Sequence, residues 1–251
     1  MRKRLWGAAA VLLGLTACHN ESFTLEGTIE GGAGKSLYLE EMTPAGSAFA
    51  DSIAVDAGGH FKYKHPLPYQ SLYSLHTSAE NYIVLLPDEG ETIVVEGDWA
   101  NLSMTYTVSG SEGSQLLWEL QQQSNASEGV VMQLVDTTER YARLLQEGVV
   151  SEATVRDKKQ TTDSIFRQTR QEFRDYVCRF LEDNQGSIAT LIALYKPFNS
   201  RPLIDSRDSA CAVWYQLVAE GLEREHPNNP HTLHFSAVAN QVVEAYAPHD
   251  K

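Results

Sequence analysis

Residues 104–111 read Met104-Thr105-Tyr106-Thr107-Val108-Ser109-Gly110-Ser111, and the period of the chain changes inside them. Met104, Tyr106 and Val108 alternate with threonines, the period of two that sends apolar side chains to one face of a strand. Beyond Ser109-Gly110-Ser111 the apolar residues recur every three or four positions, as on a helix. A strand-rich part, 23–108, is therefore expected to precede a helical part, 109–251, which makes the chain α+β.

Upstream, Phe23, Leu25, Gly27 and Ile29 alternate with Thr24, Glu26, Thr28 and Glu30. Leu37 and Leu39, then Phe61 and Tyr63, repeat the pattern, and Tyr82 to Leu86 is apolar throughout, as a strand buried on both faces would be. Turn clusters at Gly31–Gly34, Pro44–Gly46, Asp56–Gly59, Pro66–Pro68 and Pro87–Gly90 separate these runs. About eight short strands so spaced predict an antiparallel β-sandwich or barrel. Downstream, Val131, Leu134, Thr138, Tyr141 and Leu145 share one helical face, and Thr162, Phe166, Thr169, Phe173, Tyr176 and Phe180 share another. Gly148 reads as a helix stop and Ser151 as the next N-cap, so the two helices form an antiparallel hairpin. A short helix from Ser187 to Lys196 and two more, Asp205–Arg224 and Thr232–Tyr246, complete the helical part.

The 251 residues hold 20 Lys+Arg against 33 Asp+Glu, a formal charge of −13. That balance argues against a nucleic-acid partner, which needs a basic face, and disfavours electrostatic docking on anionic lipid. The first residues have another purpose. Arg2, Lys3 and Arg4 precede an apolar run from Leu5 to Leu15, too short to span a membrane, and small residues and a cysteine follow. Leu15-Thr16-Ala17-Cys18 resembles the bacterial lipobox. The resemblance implies that the Cys18 sulfur receives a diacylglycerol, that the chain is cut before Cys18, and that the new amine is acylated. Residues 1–17 are then a signal peptide and 18–22 an anchor with a short linker. Two or more acyl chains hold a protein stably to a membrane where one does so only marginally. Between His19 and Ser22 only Glu21 is acidic, whereas surface-exported lipoproteins of the Bacteroidota type carry a denser acidic cluster there. The expected place is the outer membrane, facing the periplasm.

The strand-rich part resembles a Bacteroidota domain of unknown function found as a small β-sandwich at the N-terminus of thiol–disulfide interchange lipoproteins. Phe23–Gly27 with the Gly31–Lys35 turn and Leu37-Tyr38-Leu39, Asp51-Ser52 with Gly59-His60-Phe61, and Val108-Ser109-Gly110-Ser111 carry the resemblance. Asp183-Asn184 and Ser187 are similar to the segment that precedes the thioredoxin-like domain of those proteins. No strand–C-x-x-C–helix unit occurs in the sequence, so the resemblance carries over no redox residues.

The candidate chemistry is sparse. Gly34-Lys35-Ser36 ends like a phosphate-binding loop, but Ile29 stands where that loop needs glycine and a strand follows, so a hairpin turn is expected. Cys178 and Cys211 lie among apolar neighbours and are either two buried thiols or a structural disulfide. His226, His231 and His234 stand near Glu223 and Glu225, a zinc-like set that reads more simply as a solvated loop; no metal or cofactor is expected. Arg167, Arg170, Glu172, Arg174 and Asp175 read as a solvated helix face. Asp-Ser or Asp-Thr triplets place Ser52, Thr137, Ser164 and Ser209 in a pattern that resembles the Bacteroidota O-glycosylation acceptor. Tyr69 and Tyr73 are an even step apart, and with Tyr82 they are a candidate ligand face on the sandwich. Nucleophile motifs such as G-x-S-x-G, S-x-x-K and H-E-x-x-H do not occur.

These readings converge on a lipid-anchored, non-catalytic envelope protein that binds, spaces or assembles, with a protein partner in the envelope. Two alternatives stand beside it: an accessory of a separate thioredoxin-like oxidoreductase working through Cys178 and Cys211, and a small-molecule carrier with its pocket between sandwich and helices. Replacing Cys18 by alanine should release the protein from the membrane fraction or leave an uncleaved precursor; normal processing with continued membrane fractionation would show the lipobox reading wrong.

Overall fold

A computed structural model describes residues 21–246; the signal peptide expected over 1–17 and the expected anchor Cys18 lie outside the described residues. Strands β1 (Ser22–Glu30), β2 (Ser36–Thr43), β3 (Gly46–Ala54), β4 (His60–Pro66), β5 (Leu72–Ser78), β6 (Asn81–Leu85) and β7 (Thr92–Asp98) come first. A single helical turn, α1 (Leu102–Thr105), and a short strand, β8 (Thr107–Ser109), follow. The strands form two four-stranded sheets, ordered β4-β1-β7-β8 and β3-β2-β5-β6. Phe23, Leu25 and Ile29 of the first sheet and Leu37, Leu39, Leu75 and Ile83 of the second fill one core, on the inward positions that the period of two assigns.

Three strand expectations are corrected. The sheets are mostly antiparallel, but β1 and β7 pair in parallel, with Gly27 opposite Val95. Glycine is required there, because a Cβ would collide with the Val95 carbonyl oxygen. Met104 belongs to α1 rather than to a strand and is exposed, since the chain winds one turn before β8 begins. Tyr82 is exposed at 47% while Ile83, Leu85 and Leu86 are buried, so β6 is covered on both faces only towards its end.

Helices α2 (Glu112–Gln146) and α3 (Glu152–Asp183) form the expected hairpin. Gly148 takes a φ of 70°, open to glycine, and Ser151 Oγ accepts the Thr154 N–H at 3.2 Å. At 1.5 Å per residue α2 is about 50 Å long. Its fully buried residues all lie between Ser114 and Ser124, so the far part of the hairpin stands away from the body. Then come α4 (Ala189–Leu194), β9 (Pro197–Phe198), β10 (Arg201–Pro202), a 3-10 turn at Ser209–Cys211, α5 (Ala212–Glu225) and α6 (Pro230–Tyr246). The two-residue strands β9 and β10 pair as a hairpin, so the second half is not purely helical.

The two halves share a core. Phe173, Val177, Leu181, Leu194, Val218 and Leu222 of the helices pack with Leu72 and Leu86 of the sandwich. The attachment is polar as well. Ser111 caps α2 by accepting the Ser114 N–H at 3.2 Å and donates to the Leu86 carbonyl at 3.2 Å. Ser114 Oγ accepts the Leu86 N–H at 3.1 Å. Gly113 lies between them, where a Cβ would stand 2.6 Å from the Leu86 oxygen. Losing the hydroxyl leaves a buried N–H unpaired, at a cost of about 1–3 kcal/mol, and forcing a branched side chain into the contact costs about 1–3 kcal/mol. Ser114→Ala and Gly113→Val should therefore each lower the urea midpoint while keeping one unfolding transition; midpoints equal to wild type would show that the clamp contributes nothing.

Candidate functional site

Met42, Tyr82 and Val84 point from the outer face of the second sheet towards the helices, because β2 and β6 turn their even positions outward. Leu117, Leu120 and Gln121 share one face of α2, three and four positions apart. Ile192, Tyr195 and Lys196 close the end of α4. Between these elements the packing leaves a cleft of about 410 Å³. Its walls are apolar and aromatic apart from Thr43, Gln121, Lys196 and His231.

Lys196 is the notable charge. Its ammonium is partly buried and donates to Gln121 Oε1 at 2.7 Å, a neutral partner. Burial pushes its pKa down, against the pull of Glu128. Among the described residues no carboxylate lies within ion-pair distance of it. A second cavity, of about 370 Å³, shares Met42 and Tyr82 with the first and is walled by Glu40, Ser74 and His76. The His76 ring stacks on Tyr38, 5.6 Å between centroids. His76 Nε2 stands 3.5 Å from Glu40 Oε1 without hydrogen-bond geometry, and both ring nitrogens are buried with no hydrogen-bond partner. The surface thus offers an apolar trough with an ammonium in one part and, in the other, an imidazole that stands beside Glu40 without a hydrogen bond.

A buried serine–histidine pair lies at the edge of the cleft. Ser71 Oγ and His231 Nε2 are 3.0 Å apart. That spacing suits a nucleophile and its base, but Ser71 is 0% exposed and no substrate reaches it. The pair works instead as a clasp between α6 and the segment entering β5. Asn229 extends the clasp, donating to the Gln70 carbonyl at 2.7 Å and accepting the His231 N–H at 2.9 Å. His231 is therefore buried, not part of a solvated loop as its proline-flanked sequence suggested. Among the described residues no three His, Cys, Asp or Glu side chains gather as a metal set.

The tyrosine face does not form. Tyr69 sits in a bend before β5, so the even step to Tyr73 is not a strand step; burial and the nearby Glu41 carboxylate raise the pKa of its hydroxyl. Tyr73 is only 1% exposed and points into the sandwich core, whereas Tyr82 lies on the opposite face of that sheet. Of the three, Tyr82 alone reaches the cleft. Cys178 and Cys211 are both free thiols; Cys211 is buried, and burial pushes the thiol of partly buried Cys178 up, away from a reactive thiolate. Ser52, Ser164 and Ser209 are exposed, while Thr137 is partly covered and donates to the Gln133 carbonyl at 2.8 Å. Lys35 lies over the Trp99 ring at 4.7 Å in a turn that leads into β2, which is no phosphate loop.

Met42, Gln121, His76 and Lys196 escaped the sequence reading. The available signal was Lys196 itself, a lysine between Leu194-Tyr195 and Pro197 just past the end of a short, mostly apolar helix. Burial lowers the pKa of His231, with His234 adding to the effect and Glu41 opposing it. The folded state thus prefers the neutral ring, and the unfolded chain binds a proton near pH 6.5 before the folded one does. Stability should be full above about pH 6.5 and fall as the pH drops below it. His231→Gln should flatten that fall; equal slopes in urea titrations from pH 7 to about pH 5 would contradict the clasp.

No curated protein and no solved structure matches the chain. Residues 23–117 match the model of a family described as a domain of unknown function (DUF4369), a span that takes in the sandwich, the Ser111 cap and the first turns of α2.

Proposed function

We propose that the chain is a lipid-anchored envelope protein, held at the outer membrane through Cys18 and facing the periplasm, that binds a small amphiphile without turning it over. The carrying observation is the cleft between sandwich and helices, with Lys196 partly buried in it and paired only to the neutral Gln121. An ammonium taken partly out of water gains most from an anionic partner. The aliphatic walls suit an acyl or ring body, and Tyr82 at the lip offers a flat amphipathic edge. The ligand class is therefore an apolar molecule with one carboxylate or similar acid. The resemblance of Leu15–Cys18 to the lipobox supports the lipid anchor. The buried setting of Cys178 and Cys211 favours binding over electron exchange with a thioredoxin-like partner.

A fluorescent fatty-acid analogue titrated into the purified full chain tests the reading. Binding should saturate, weaken about tenfold in Lys196→Gln, which corresponds to about 1.4 kcal/mol, and be blocked by Met42→Trp with the thermal transition retained. The probe should be recovered chemically unchanged. Absence of saturable binding, or equal binding by all three proteins, would overturn the proposal.

A further inference from the structure

Helix α3 carries Arg170 and Arg174 one turn apart on one side, and both are partly buried. They wall a cavity of about 670 Å³ whose other side is the β9–β10 hairpin and the loop leading to the 3-10 turn at Ser209–Cys211. Arg201 and Arg207 line it too, together with Asp205 and Asp208. Both acids are already engaged. Arg207 grips Asp205 with two side-chain hydrogen bonds, at 3.0 and 2.8 Å, and Asp208 accepts the Ala210 N–H at 3.0 Å. Among the described residues, Arg170, Arg174 and Arg201 have no carboxylate within ion-pair distance, and no side-chain hydrogen bond engages their guanidinium groups. Three unanswered guanidinium groups thus meet at one cavity of a chain whose formal charge is −13.

The arrangement is held in place. Asn199 and Ser200 both have positive φ, 47° and 60°, the backbone of a two-residue hairpin turn that matches the twist of its strands. Serine adopts that conformation only under strain. The turn brings Arg201 opposite Phe198, and Phe198 is buried against Phe166 and Phe173 of α3. The Arg201 backbone is therefore fixed relative to the helix that carries Arg170 and Arg174, while its side chain is exposed at the cavity. Like charges one turn apart repel each other on a bare helix, so the pair is at its most favourable with an anion between its members.

We propose that this cavity binds a small soluble polyanion through its phosphate oxygens. Guanidinium forks match phosphate oxygens two bonds at a time, and three forks from two elements suit a ligand with more than one anionic oxygen face. The acidic remainder of the surface repels anionic lipid, which favours a free solute over a headgroup in a bilayer. The site is separate from the cleft at Lys196, with which it shares no lining residue.

Calorimetric titration of the full chain with pyrophosphate tests the proposal, with vesicles of phosphatidic acid in phosphatidylcholine as a second arm. Wild type should bind pyrophosphate with a steep dependence on salt. Arg201→Gln should weaken binding tenfold or more, and Arg170→Gln with Arg174→Gln should abolish it. Arg156→Gln, an exposed position elsewhere on α3, should leave binding unchanged. Ligand-free Arg174→Gln should be no less stable to urea than wild type, which separates loss of binding from loss of fold. Pyrophosphate binding that is absent, or equally weakened by Arg156→Gln, would overturn the site. Capture by vesicles with no binding of free pyrophosphate would overturn the soluble source.

Discussion

Leu86, one residue beyond β6, has both its backbone polar groups taken by the first turn of α2. Its N–H goes to Ser114 and its carbonyl receives the Ser111 hydroxyl, with Gly113 leaving room for the contact. A helix start and a strand end each leave backbone groups without partners. Here two serine hydroxyls serve both ends, away from water: Ser111 Oγ accepts the Ser114 N–H of the helix start, and the Ser114 and Ser111 hydroxyls take the Leu86 N–H and carbonyl. Because Leu86 cannot move without α2, the first turns of that helix are fixed against the second sheet. Leu117 and Leu120 then face Met42 and Val84, and the gap among them is the cleft. The family match ends at residue 117, so it includes this joint along with the sandwich.

The remaining attachments reinforce the same geometry from the other end of the chain. The Ser71–His231 clasp and the Asn229–Gln70 bond tie α6 to the entry of β5. Leu72 and Leu86 extend the helical core into the sandwich. Against this well-paired background the exceptions are informative. Lys196 is partly desolvated with a neutral partner, the buried ring nitrogens of His76 have no hydrogen-bond partner though Glu40 stands 3.5 Å from one of them, and Arg170 and Arg174 stand together unanswered. Buried or half-buried polar groups without partners are costly in free energy. On an otherwise acidic chain they are the places where an anionic ligand gains most.

Much of the fold was legible locally. The switch of period at Ser109–Ser111, the Gly148 stop and the Ser151 cap are short-range signals, and each marks its element. What depends on distant partners was not legible. The parallel β1–β7 pairing joins residues some seventy positions apart (Leu25 with Ile93), and nothing within either strand specifies direction. Tyr73 was misplaced because a bend at Tyr69 interrupts the strand, and Met104 because one helical turn also fits alternating residues. Arg170 and Arg174 read as a solvated face since only the β9–β10 hairpin, far along the chain, half covers them. The cleft was anticipated only as a junction pocket, because Met42, Tyr82, Gln121 and Lys196 come from four separate elements or element ends.

Joined at Leu86, sandwich and helices form one cooperative unit. Native-state hydrogen exchange of the purified chain addresses this directly. The amides of Leu86, Val95 in the sandwich and Val177 in α3 should exchange with a common opening free energy equal to that of global unfolding. An α3 amide that opens at far lower free energy than Val95, with Leu86 following the helix alone, would show two independent units and contradict the joint on which the cleft depends.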